Sequence, residues 1–504
     1  MRMRWLTGIA VLMLATEARA EDKAKAEEPP ESFEVGGFVF RPIVEVRVRG
    51  EYRRNPLSDG LYVDSPILSK TMPVGTSDLP YEDEFYVWER ARLGLEVEYG
   101  PVTARVTMQD VRGWGTRTYT AFATASGSTG SGFGGSGAGS LGAVHRRANG
   151  DLPVTEPFEA YLDVHTNDRN VFFRVGRQEV EIGDGRLIGA SDDRPQGRSL
   201  DAVRLFGKVG DFDLQALMAL LVMPGEPTFT EPDQDPNEPR ALAPGAQLYV
   251  LDGVYHGAPY LSAELTGIAR IVRQPLVTSL TPSDTFVGAA RLFGDYRGVR
   301  YSVVGAIEGG RVAYAGQTDL GTLFAGAVAG RVDWETSLPW HITFGAQGAY
   351  ATGTPVDGDL VASVGTFDPI LPDTTKHFGQ GGFYAWSNLI EGGADIAVRP
   401  VDEFRALAGY RFVGLADPKG PWRSASLVPV GQSSTNESNI LGHVVVVDLE
   451  AQPWKPLRIA AHYGLMILDD AAKQIFVDAR PGLDASRAPD FAEYLAADLR
   501  LDLP

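Results

Sequence analysis

The stretch EVRVRGEYRR, residues 45–54, decides how the whole chain is read. Val44, Val46 and Val48 alternate with Glu45, Arg47, Arg49 and Glu51. A period of two is a strand with one dry face and one wet face. In a soluble sheet the valines would turn to a protein core. In a membrane barrel they would turn to lipid and the arginines would line the lumen.

The N-terminus narrows the choice. A short basic start, MRMRW, precedes the apolar run LTGIAVLMLAT and an Ala18-Arg19-Ala20 cleavage pattern. This is the form of a secretory signal peptide over residues 1–20, too short for a membrane span. Residues 21–34 are polar, and 35–504 read as one domain. Removing Arg2, Arg4, Arg19 and Glu17, a net +2, takes the formal charge from −19 to about −21. Such an acidic chain does not bind nucleic acid through bulk charge. It has no cysteine, which excludes disulfides, a lipoprotein anchor, a thiolate metal site and a cysteine nucleophile. No segment holds 18 consecutive apolar residues, so a membrane could be crossed only by a closed barrel.

Strand patterns recur over 35–51, 84–99, 102–115, 156–166, 170–179, 199–208, 211–223, 245–256, 259–272, 284–296, 299–312, 320–333, 340–353, 383–399, 403–415, 438–453, 456–469 and 489–502. These 18 spans are joined alternately by tight turns such as YGPV, VGDF and YRGV and by long connections. Residues 52–83, 116–155, 180–198, 224–244, 354–382, 416–437 and 470–488 are the large ones, with 273–283 and 313–319 shorter. The expected fold is all-β: a transmembrane antiparallel barrel of about 18 strands, with short periplasmic turns and long extracellular loops. A barrel of that width needs a wet interior. The valines at 44–48 should then face lipid, and Arg47 and Arg49 the lumen.

Arginines crowd one arc. The first six strands carry Arg41, Arg47, Arg49, Arg90, Arg92, Arg105, Arg112, Arg174, Arg177 and Arg204, and the inward positions Arg405 and Arg411 lie further on. A guanidinium holds carboxylates bidentately and keeps its charge anywhere, so a row of them could pass a polyanion from site to site. The alternative is that Glu45, Glu51, Glu96, Glu98, Asp163 and Asp201 neutralise them. The Gly/Ser-rich segment 123–142 is either a gate or a plain outer loop. The acidic EPDQDPNEP at 231–239 lacks the Gly and distal Glu of a calcium loop and reads as solvated acid. His443 and His462 fall on adjacent strands without further partners. No catalytic residue, metal or cofactor is expected, and the G-x-S-x-G and H-E-x-x-H patterns are absent.

Residues 174–205, RVGRQEVEIGDGRLIGASDDRPQGRSLDAVRL, resemble the signature region of the alginate export family of outer-membrane barrels. The matching residues are Gly176-Arg177-Gln178, Gly185-Arg186-Leu187 and Gly197-Arg198-Ser199, leading to Asp201. The resemblance implies a monomeric 18-stranded barrel in outer-membrane lipid that exports an anionic polysaccharide. Arg90, Arg92, Arg105, Arg174 and Arg204 would line its path, and periplasmic secretion proteins would be its partners. Two features depart from that family: every even-to-odd turn is short, and the C-terminus DLRLDLP lacks a terminal aromatic. A general or sugar-uptake porin is the alternative, and a structural or adhesive surface barrel is a third reading.

Overall fold

The computed structural model describes residues 32–55, 57, 84–114, 154–222, 246–272, 283–313, 320–355, 365–425, 427, 429–478 and 488–503. The strands are β1 (Phe33–Val35), β2 (Phe38–Arg54), β3 (Glu84–Tyr99), β4 (Val102–Trp114), β5 (Val154–His165), β6 (Val171–Glu179), β7 (Ser199–Val209), β8 (Phe212–Val222), β9 (Ala246–Ala258), β10 (Leu261–Val272), β11 (Ser283–Tyr296), β12 (Val299–Ala313), β13 (Leu320–Glu335), β14 (Thr343–Ala351), β15 (Leu389–Val401), β16 (Phe404–Gly414), β17 (Trp422–Arg423), β18 (Pro429–Gly431), β19 (Ile440–Trp454), β20 (Leu457–Leu468) and β21 (Phe491–Leu503). A short helix, α1 (Asp470–Asp478), lies in the last long connection.

β2 to β16 pair in order, β16 pairs with β19, and β20 and β21 follow; every pairing is antiparallel. β21 then pairs with β2, from Val44↔Leu503 to Arg54↔Glu493, which closes an 18-stranded barrel. Closure removes the open edges that a sheet cannot leave in lipid. β1 straddles the boundary expected between the polar segment 21–34 and the first strand. It pairs with residues 38–40 of β2, continuing the lane of β21 past its end.

Exposure separates the two faces of β2. Val46 and Val48 point outward, while Glu45, Arg47, Arg49 and Glu51 are buried within. The outer face continues as apolar side chains around the wall, among them Leu251, Leu265 (69% exposed), Ile307 and Phe324 (74%). An apolar outer face around a charged interior is the inverse of a soluble barrel and suits lipid.

The interior differs from expectation in one respect. Residues 180–198, 354–382 and 416–437 read as outer loops. Their described residues instead fold into the lumen, where most of 185–200, 366–374 and 383–389 are buried. Ile182 bridges Ile188, and Ile188 bridges Leu371 in parallel, so two of the segments form one small inner sheet. Ile188, Ile370, Leu371, Tyr384 and Trp386 join inward residues of the wall, including Leu217, Val250, Ile268, Val287, Val304, Ala327 and Ala349, in one hydrophobic cluster. The span expected as a strand from 383 begins only at Leu389, because Phe383–Asn388 is used in this plug.

This packing explains the continuous apolar run ALMALLV, residues 216–222, of β8. Met218 faces lipid, and Leu217 and Ala219 face the plug, so both sides of the strand are dry. The signal peptide expected at 1–20 and the segments 123–142 and 231–239 lie outside the described residues.

Candidate functional site

The inward loop 180–198 starts and ends on adjacent strands, β6 and β7, so its tip must cross the lumen and return. Its bends are built for that. Ser191 is left-handed (φ 50°), and its amide donates to the Asp373 carboxylate at 3.1 Å. At Gly197 (φ 65°) an added Cβ would come within 2.7 Å of the Arg92 guanidinium and 3.2 Å of the Phe158 ring. Only glycine lets the backbone lie that close. Arg198, almost fully buried, donates to the carbonyls of Gly189 (2.6 Å), Leu371 (2.5 Å) and Pro372 (3.2 Å) and so ties both inner segments together.

These constraints place Asp192 and Asp193 against the arginine-rich wall. Asp192 Oδ1 meets Arg92 at 2.7 Å and Arg90 at 3.1 Å, and its Oδ2 meets Arg500 at 2.8 Å. Its backbone carbonyl accepts from Arg47 (2.9 Å) and Arg90 (3.0 Å). Asp193 pairs with Arg47 at 3.3 Å and accepts from Thr375 and Gln380, both at 3.0 Å. The wall supplies counter-charges too. Glu45 pairs with Arg90, Arg92 and Arg500. Asp498 pairs with Arg47 and Arg49, and Glu51 with Arg49 and Arg53. Burial alone would raise both loop carboxyls. The guanidiniums of Arg90, Arg92 and Arg500 nevertheless hold Asp192 well below the usual carboxylate range, and those of Arg47 and Arg49 hold Asp193 low.

The other arginines singled out from sequence face the lumen in separate groups. Arg105 pairs with Glu159 at 2.7 Å and Glu96 at 3.7 Å. Arg174 grips Asp163 with two bonds, at 2.6 and 2.7 Å, and covers the Tyr161 ring. Arg204 donates twice to Gln215 and lies over Phe172. Arg411 meets Asp395 at 3.1 Å and Glu391 at 3.5 Å. Arg405, half-buried, stands opposite Glu450 in the strand register. Of the nine arginines expected along the path, Arg47, Arg49, Arg90 and Arg92 are thus brought together, and the rest are dispersed.

The motif residues of 174–205 have structural roles. An added Cβ on Gly176 (φ 124°) would meet the Ala160 carbonyl at 2.2 Å. Arg177 pairs with Asp201 at 3.0 Å, and Gln178 donates to the Ala202 carbonyl. Arg186 pairs with Asp184 and lies beside Phe378 and Trp386. The motif therefore builds and anchors the inward loop. The sequence reading missed Asp192, Asp193 and Arg500. The signal for Arg500 was present, since it alternates with Asp498 and Asp502 opposite the leucines of β21. Nothing in SDDRPQG indicates that its acids point inward.

No protein-family model matches the sequence, and no curated protein does. Solved structures match the fold along nearly its whole length. OccAB1 of Acinetobacter baumannii is 10% identical, covering 92% of this chain and 97% of its own, with a TM-score of 0.51. OccK9 (OpdG) of Pseudomonas aeruginosa is 10% identical, with 92% and 98% covered and a TM-score of 0.51. OccK11 (OpdR) of the same organism is 11% identical, with 92% and 96% covered and a TM-score of 0.50. These are outer-membrane porins. The chain has their fold, a closed 18-stranded antiparallel barrel.

Proposed function

We propose that this barrel is an uptake-type diffusion channel for small solutes, selective at the constriction between loop 180–198 and the arginine-lined wall. The observation that carries this reading is the packed plug. Ile188 and Ile370 are fully buried inside the barrel, and Asp368 donates its amide to Glu308 of β12 at 2.8 Å. A wall sealed over much of its inner face leaves passage along the charged side, where Asp192, Asp193 and Arg500 keep partial exposure. The barrels of like fold are uptake porins, which supports the same direction.

Export of an anionic polysaccharide, the reading drawn from the resemblance at 174–205, keeps the support of the arginine arc. Against it, Arg47, Arg90, Arg92, Arg105 and Arg174 each already hold a carboxylate of this chain. Uptake needs no periplasmic secretion partner. Proteoliposome swelling tests the choice. Small sugars and organic acids should enter vesicles holding the full-length protein, while uronate oligomers should not. Deleting the gene should leave secreted uronic acid unchanged; its loss would restore the export reading.

A further inference from the structure

Two phenylalanines stand inside the barrel away from its plug. Phe172 of β6 and Phe206 of β7 face the lumen, since their neighbours Val171, Phe173 and Leu205 are exposed on the lipid side. They lie opposite each other in the strand register, and their rings stack at 5.1 Å with 16° between the planes. Both are half-buried. Neither belongs to the hydrophobic cluster that joins plug and wall. They sit at the end of the wall closed by the short turns 166–170 and 210–211, away from the attachment of loop 180–198. An apolar surface left facing water beside fixed polar groups has the composition of a ligand site.

The polar groups are next to them. Arg204 lies 5.6 Å from the Phe172 ring centre and donates to Gln215 Oε1 through Nε (3.0 Å) and a terminal nitrogen (2.6 Å). Gln215 is the register partner of Phe206. Its Nε2 donates to Asp252 at 2.8 Å, and Thr266 donates to the other Asp252 oxygen at 2.7 Å. This relay holds the amide and the guanidinium in one orientation. Arg174 spends its fork on Asp163, whereas Arg204 pairs with no carboxylate among the described residues. Its remaining N–H donors and the second amide proton of Gln215 are left for a solute.

We propose that Phe172, Phe206, Arg204 and Gln215 form a sugar-binding step at the turn end of the lumen. A pyranose ring rests its C–H face against the phenyl rings, and its hydroxyl oxygens accept from Arg204 and Gln215. This inference rests on the channel reading and adds a second contact point, separate from the constriction. The assignment follows from matching groups. A pyranose has an apolar patch of C–H bonds and a rim of hydroxyls. The negative face of a phenyl ring attracts C–H groups, and a planar guanidinium and amide supply donors at fixed angles. A simple ion would leave the rings uncovered, and an aliphatic solute would leave the donors unmet. Each such bond replaces one to water and gains little, so a sugar is slowed here without being trapped.

The test uses the purified full-length barrel with maltotriose as the probe. Saturation-transfer NMR should detect binding to the wild type. F172A/F206A should weaken it about tenfold, the scale of a lost stacking surface. Arg204→Met keeps the apolar stem and removes the donors, and should weaken it about threefold. F293A removes a lumen ring outside the site and should leave affinity unchanged. In planar bilayers maltotriose should interrupt the current, with shorter interruptions in F172A/F206A. Absent binding to the wild type, unchanged affinity in F172A/F206A, or an equal fall in F293A would each overturn the proposal. If the wild type conducts no ions, the channel reading fails, and the NMR titration still judges the site by itself. Should F172A/F206A not give a heat-modifiable barrel on gels, F172L/F206L carries the same test, with a smaller loss in the same direction.

Discussion

Replacing Arg198 by alanine should open the channel without unfolding the barrel. Arg198 sits inside the lumen and donates to carbonyls of the two inner segments, those of Gly189, Leu371 and Pro372. A hydrogen bond to a charged donor contributes about 1.5–3 kcal/mol, and a buried acceptor left unpaired costs about 1–3 kcal/mol. These terms overlap, and water will re-satisfy part of the loss. We therefore expect R198A to weaken the docking of loop 180–198 by about 3–5 kcal/mol. At 1.4 kcal/mol per tenfold, that shifts the docked-to-released ratio by roughly two to three and a half decades. The wall pairings from β2 to β21 do not involve this side chain and should persist. Single-channel recording should show a larger conductance with loop flicker, and limited proteolysis should cut within 180–198. Wild-type conductance together with wild-type protection of that loop would refute the reasoning.

Further outcomes follow from the same geometry. Leu265→Arg places a charge on the lipid face of β10 and should cost about 2–4 kcal/mol in refolding into vesicles, if the site lies near mid-bilayer; no loss would mean that this face is not in lipid. His377 donates Nε2–H to the Asp184 carbonyl at 2.8 Å, faces the Asp184 carboxylate, Arg186 and Asp373, and titrates at about 4, because burial first and Arg186 second disfavour its cation. Its folded value lies below the ordinary 6.5, so the neutral form's contribution is complete above about pH 6.5. It is lost as pH falls toward 4, by about 3 kcal/mol at most. Protease protection of 365–388 should fall over that window, and His377→Asn should flatten the dependence; equal pH profiles would argue against it.

Strand number, closure and the lipid-facing side were legible in the sequence, because each depends on local alternation and on loop length. The 18 spans expected from periodicity match the barrel strands to within a few residues, except at 383–388. There the apolar FYAWSN continues the strand pattern, yet it belongs to the plug. Period-two alternation reports that a side chain is dry but not what covers it. Lipid outside β8 and the plug inside it leave the same apolar run.

The arginine arc was likewise legible as a set of inward positions. Its occupancy was not. Whether Arg90 and Arg92 face open water or an aspartate 100 or more residues away depends on where loop 180–198 goes. That path is decided by a turn at Ser191, a glycine against Arg92 and a buried Arg198 bonded to a segment 173 residues distant. Contacts of such separation have no local sequence signature. The sequence by itself determined the wall and its charges; tertiary packing alone decided that arginines of the wall meet the loop's own carboxylates, because only the folded lumen brings Asp192 and Asp193 to them.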